Sequence, residues 1–276
     1  MTEFPDSVFS MTTDGKSAIA VVNADSSMPE TPLRLALNFG DDVRGRLAGA
    51  KYSWGDLATF HMLDVRQYRD APPCGGGLTD CPDRLGVDRT LLGLPQEAWL
   101  EDGLATSTAV WDVIGQQVVF APLPFGGSFN TDQWDGYPQQ RDRVWSALTQ
   151  RPNPVIVTGD IHAAGVAGLH DTLGDVTTTR IGTELVGTSV SSSFDPDLVV
   201  VAETIINALP YIEYGNARDR GYTVVDLTRD ALRATYRVVS TTESPDAEVS
   251  TAHVATVPAR SGAAAVPVPA APRVTG

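Results

Sequence analysis

The sequence predicts an α/β layered domain, and three features carry that expectation. Short β-branched runs alternate with stretches of helical character, as where Arg141 to Gln150 leads into Val155 to Val157. Near the carboxyl end the alternation gives way to two neighbouring strand-like segments, Gly221 to Thr228 and Ala231 to Val239, which read as a hairpin. Hydrophobic residues make up 42% of 276 positions, enough to bury a sizeable core in one large domain or two small ones.

Taken in order, residues 1–50 form a poorly defined segment. Ser17 to Val22 reads as one strand, and Pro29 and Pro32 break any helix. Lys51 to Trp54, a turn at Gly55-Asp56, and Leu57 to Asp64 then read as strand–turn–strand, with Thr59 and His61 on one face. A Pro/Gly-rich loop follows, holding Cys74 and Cys81. Its spacing is not that of a zinc knuckle, and either a short disulfide or two free thiols fits it. Pro95 near a first helical position predicts a helix over Leu92 to Leu104, with Leu94, Ala98, Trp99 and Leu100 inward. Val110 to Phe120 reads as a buried strand, and Ala121 to Gln140 as a long functional loop.

Arg141 to Gln150 is a helix with Val144, Trp145 and Leu148 inward. Thr183 to Ser193 turns from apolar to hydroxyl-rich, and Pro196 to Ala208 reads as a helix. From about His253 the chain loses periodicity, so the domain is placed at 51–256 and a disordered Ala/Pro-rich tail at 257–276.

The stretch around which these elements gather is Pro154 to His162. A buried strand over Val155 to Val157 ends at Thr158-Gly159, followed by Asp160 and His162. In a strand-like backbone these two side chains point the same way, at the carboxyl end where open α/β sheets keep their ligands. A hard oxygen donor beside an imidazole suits two adjacent metals clamping a phosphoryl group. Taken alone, Gly-Asp-x-His is a weak signal that reads first as a turn Asp and a surface His.

A net charge of −14 disfavours non-specific nucleic-acid binding, which needs a basic face. No run of about 18 apolar residues is present, so no membrane span is expected. The acidic start, Met1 to Asp6, lacks the basic and apolar regions of a secretory signal, so the chain as written is expected in the cytoplasm.

The ordered blocks identify a resemblance. Trp54-Gly55-Asp56-Leu57-Ala58, Leu63 to Asp70, Leu92-Gly93 with Gln96 and Trp99-Leu100, Trp111 to Val118, Trp134 to Pro138 with Arg141, Thr158 to His162, Glu184 to Ser192 and Arg220-Gly221-Tyr222 follow one another. Together they resemble the carboxyl-terminal part of PhoD-type alkaline phosphatases, within the calcineurin-like metallophosphoesterases, over roughly Met28 to Val254. The resemblance implies a layered α/β/β/α sandwich, here incomplete. It also implies metal-dependent hydrolysis of small phosphomonoesters and often phosphodiesters, a centre of iron and calcium, and export. The family's earlier motifs, Gly-Asp-x-x-Tyr and Asn-His or Asp-His, are not found, and Tyr211 stands where many relatives have His. The chain thus reads as an N-terminally truncated member, with an inactive fragment or pseudoenzyme as the alternative.

Residue by residue, Asp160 and His162 match metal ligands of the family motif. Asp135 reads as a calcium ligand or phosphate neighbour, or as a turn Asp. Arg66 neutralises phosphate or pairs with Asp64. Tyr137 lines the pocket or packs. Arg141 is structural, Glu184 either plays no part in the site or supports it from behind, His61 and His170 are ordinary histidines, and Trp99, Trp111 and Trp145 are core.

Overall fold

The computed structural model describes residues 18–21, 33–38, 50–190, 192 and 196–260. Most of the segment expected at 1–50, and the tail beyond 260, lie outside the described residues. The strands in chain order are β1 (Ala18–Val21), β2 (Leu33–Asn38), β3 (Ala50–Trp54), β4 (Ala58–Met62), β5 (Leu78–Thr79), β6 (Trp111–Gly115), β7 (Phe129–Asn130), β8 (Pro154–Thr158), β9 (Ala164–His170), β10 (Arg180–Val186), β11 (Ile212–Asn216), β12 (Arg220–Leu227), β13 (Ala231–Val239) and β14 (Val249–Pro258). The helices are α1 (Leu94–Ala105), α2 (Pro138–Thr149) and α3 (Val199–Ala208).

Seven strands form a mixed sheet in the order β11-β9-β10-β8-β6-β4-β3, and five form a second sheet, β1-β2-β12-β13-β14. β4, β6, β8 and β10 run parallel, so their carboxyl ends share one edge. β6 and β8 are buried along their whole length, as central strands covered on both faces must be, and their apolar runs follow from that. Alternate side chains then serve two cores. Val113, Val155 and Val157 face the second sheet, meeting Val225, Leu227, Leu232, Ala234 and Tyr236. Ile114 and Ile156 face the helices, meeting Leu100 and Leu104 of α1 and Val144, Trp145 and Leu148 of α2. Two bonds stitch the sheets together: Trp111 Nε1–H donates to the Thr228 carbonyl (2.7 Å) and the Tyr236 hydroxyl to the Gly165 carbonyl (2.5 Å).

The layered α/β expectation holds. Among the described residues the layers are helices, sheet, sheet. Where a fourth layer would lie, Tyr222 and Val254 on the second sheet are each 38% exposed. Trp111 and Trp145 are core as expected.

Several boundaries differ from expectation, each for a physical reason. The strand read over Val110 to Phe120 stops at Gly115, because the Gln116 side chain bonds both the amide (3.2 Å) and the carbonyl (2.5 Å) of Val118 and closes a turn there. α2 starts at Pro138, whose missing N–H suits a first helical position, so the long loop ends earlier than Gln140. In α1, Leu94 is 65% exposed and Ala98 is exposed; the buried positions are Gln96, Glu97, Leu100, Gly103 and Leu104. α3 starts at Val199 rather than Pro196.

β14 overturns the reading of an aperiodic end. It pairs with β13 from Val249 to Pro258, the ladder bonds supplying what periodicity does not show, and the Arg260 amide still reaches Asn153 Oδ1 (2.8 Å). Of the two readings of the cysteines, the disulfide is present, joining Cys74 to Cys81.

Candidate functional site

The parallel strands deliver their following segments to one rim of the seven-stranded sheet. After β4 the chain turns at once. Asp64 Oδ1 accepts the amides of Arg66 and Gln67 (both 2.8 Å). From below, Gln96 grips both backbone groups of Asp64 (2.8 Å each), and Gln117 holds the Val65 amide and the Leu63 carbonyl (2.9 Å each). Arg66 therefore leaves from a fixed turn. Of its two sequence readings, pairing with Asp64 is not what the structure shows. Its Nη1 meets Asp132 Oδ2 at 2.6 Å and its Nη2 meets Asp160 Oδ2 at 2.9 Å. Burial works against the Arg66 charge, but Asp132 and Asp160 outweigh it and raise its pKa above the ordinary guanidinium value.

After β8 the backbone leaves the extended conformation. Asp160 has φ 71° and His162 φ 56°, both left-handed. The strand-like arrangement of the pair is therefore corrected: the two side chains are set by a turn, not by a pleat. Ile161 N–H donates to the Gly159 carbonyl (2.9 Å), which makes Asp160 the centre of a γ-turn of the rarer, strained kind with positive φ. Such backbone persists only where the surroundings hold it, and it gathers at functional sites. Here the holders are Arg66 and Gln133, whose Nε2 donates to Asp160 Oδ2 at 2.9 Å while its Oε1 accepts the Val119 amide at 2.6 Å.

Glu184 lies beneath this turn and is fully buried. Its Oε1 accepts the Phe120 amide (2.7 Å) and the Thr158 hydroxyl (3.0 Å), and its Oε2 accepts the Ala121 amide (2.8 Å). Burial pushes its carboxyl up to about 7, with these hydrogen bonds and Arg141 pulling the other way. It joins the end of β8 to the loop that goes on to Asp132 and Gln133.

The other two expected site residues face inward. Asp135 is 3% exposed; its Oδ1 meets Arg141 Nη1 at 2.6 Å and its Oδ2 accepts the Leu123 amide at 2.9 Å. Tyr137 is 0% exposed and its hydroxyl donates to the Asp70 carbonyl at 2.6 Å. Asp135 fastens the loop onto α2 through Arg141, which is structural as read, and Tyr137 ties the start of α2 to the segment at Asp70. His61 is buried beside Asp112 at 3.3 Å, away from the turn. Sequence reasoning missed Asp132, Gln133 and Arg69, which holds both Asp132 Oδ1 (2.8 Å) and its carbonyl (3.2 Å). Single polar residues in a loop carry no period.

The iron and calcium that the resemblance implies would need a cluster of ligand side chains. Among the described residues, the only cluster of three possible ligand side chains is Cys74, Cys81 and Asp83, and its sulfurs are tied up in the disulfide. Neither Asp160 nor His162 belongs to such a cluster. The described residues therefore do not by themselves fit a metal centre, which takes three or more protein ligands per transition metal.

A PhoD-like phosphatase family model matches residues 28–236. The chain belongs to the PhoD-like phosphatase family. It is 38% identical over 208 residues to alkaline phosphatase D of Bacillus subtilis (strain 168), covering 72% of this chain and 36% of that protein. A solved structure of PhoD superposes with a TM-score of 0.69 at 33% identity, covering 76% of this chain and 42% of that one. The chain thus spans well under half the length of these relatives.

Proposed function

We propose that the rim built from Arg66, Asp132, Asp160 and His162 takes part in phosphoester hydrolysis, acting on small phosphomonoesters and also on phosphodiesters. The observation that supports the reading is the strained turn at Asp160–His162, held at the carboxyl edge of the parallel strands by Arg66. Arg66 is one-third exposed and engages carboxylates with two of its five N–H donors. The others suit the non-bridging oxygens of a phosphate, whose negative charge would compete with Asp132 and Asp160 for the guanidinium. His162, on the same turn, is placed to hold or pass a proton near the ester. The family name carries the reaction class; the chain's residues supply anion binding and orientation.

The test is hydrolysis of p-nitrophenyl phosphate and of its bis ester by the full chain, beside Asp160→Ala and His162→Ala. Turnover of both esters is expected in the parent, with a loss on the order of a hundredfold or more in each variant. Chelation followed by calcium and iron asks whether the hydrolysis needs a metal. A parent no faster than either variant would overturn the proposal for this chain.

A further inference from the structure

We infer that Arg220 is a positioning residue that fixes the backbone at His162 and thereby aims its imidazole, an inference that deepens the reading above and rests on it. Arg220 opens β12, far along the chain from the turn, and is only 9% exposed. Its Nη1 donates to the His162 carbonyl (2.8 Å), the Thr188 hydroxyl (3.1 Å) and the Asp219 carbonyl (3.0 Å), and its Nη2 to the Ala217 carbonyl (3.0 Å). All four acceptors are neutral. A guanidinium taken out of water this far and given to carbonyls is costly, and its planar fork is suited to pinning several backbone oxygens at once.

What it pins is informative. His162 is left-handed at φ 56°, a conformation few L residues keep unless held. Asp160 is held through its carboxylate, but the His162 ring has no hydrogen-bond partner among the described residues. What is fixed of the imidazole is therefore the direction in which it leaves the main chain, which the backbone sets, and among the described residues the side chain bonded to that backbone is Arg220. Thr188, just beyond the end of the neighbouring parallel strand β10, shares the same Nη1 and donates its own hydroxyl hydrogen bond to the Asp219 carbonyl (2.9 Å). The second sheet, through the start of β12, thus sets a residue of the first sheet's rim.

The experiment compares the full chain with Arg220→Gln and Arg220→Lys. Hydrogen–deuterium exchange is read over 159–163, histidine ring resonances at one pH, and kcat and KM on p-nitrophenyl phosphate. The ring signals are resolvable because the chain has 4 histidines. In Arg220→Gln, exchange should quicken across the turn and the His162 ring signal should move while those of His61 and His170 stay. The kcat should fall on the order of tenfold or more with KM changing less, as misplacement rather than lost binding predicts. Arg220→Lys, which keeps the charge but reaches fewer carbonyls, should lie between; if Arg220→Gln does not fold, its exchange and ring signals decide alone. Native exchange and an unmoved His162 signal in a folded variant would overturn the inference. If the parent itself hydrolyses nothing, exchange and ring signals still decide the role of Arg220, and only the phosphatase reading falls.

Discussion

At the scale of single residues, the site is held together by buried polar groups whose charge state matters. Glu184 is the clearest case, since burial lifts its carboxyl from the ordinary 4.5 to about 7. A carboxyl with a raised folded pKa binds its proton more tightly in the native state than in the unfolded chain. Its contribution is complete below about pH 4.5 and is lost as pH rises through about 7. The full difference is on the order of 3 kcal/mol at the quoted value of about 7. Urea midpoints measured from pH 4.5 to 8 should therefore fall towards neutrality by more than the surface charges explain. In Glu184→Gln that slope should flatten, at a cost of roughly 1–3 kcal/mol, because an amide NH₂ must face one of the three donors the carboxylate now accepts. A slope unchanged by Glu184→Gln would mean that another group titrates.

At the scale of elements, legibility depended on what faces inward. β8, β12 and β13 were readable because apolar side chains bury them, and their sequences say so. α1 was located, but its inward face was misread. Gln96 and Glu97 are buried because each has bonds to make: Gln96 to Asp64 and Leu92, Glu97 to Gln140 and Arg143. No hydrophobic period marks such a face. For the same reason Asp132 and Gln133, which share the rim with Asp160, carry no signal in the sequence. β14 was missed because its partner strand, rather than its own pattern, makes it a strand. The loop that carries Asp132 is itself fastened by the disulfide segment. β5 pairs with β7, Thr131 bonds the Gly77 carbonyl twice (2.9 and 3.1 Å), and the Arg84 guanidinium lies 3.7 Å over the Phe129 ring. Replacing Cys74 and Cys81 by serine should cost about 2–3 kcal/mol, the loop-closure value for so short a ring. Exchange should rise over 129–135 before it rises in the sheets. Unchanged protection of that loop would show that the hydrogen bonds suffice without the sulfur link.

At the scale of the whole molecule, the seven-stranded sheet is shared by two cores. Adjacent residues of one strand serve both: Val113 and Val155 face the second sheet, Ile114 and Ile156 the helices. The layers cannot then lose their packing independently, because a strand that shifts on one face shifts on the other. The rim carrying Asp160 and His162 rests on these strands, while Arg220 reaches it from the second sheet, so the site depends on both interfaces. Ile156→Ala, at 0% exposure on the helix side, and Leu232→Ala, at 0% exposure on the sheet side, isolate the two. Each should cost about 2–5 kcal/mol, the range for truncating a large apolar side chain in a well-packed core. Each should also lower one and the same unfolding transition, followed by tryptophan fluorescence and by far-ultraviolet circular dichroism. Trp111 reports the inter-sheet core and Trp145 the helix side, so the fluorescence samples both layers. Coincident curves in both variants are the expected result. Two separated transitions, with Leu232→Ala moving only one, would mean that the second sheet is an independent unit, and that Arg220 holds the turn from a layer able to come away while the parallel strands stay folded.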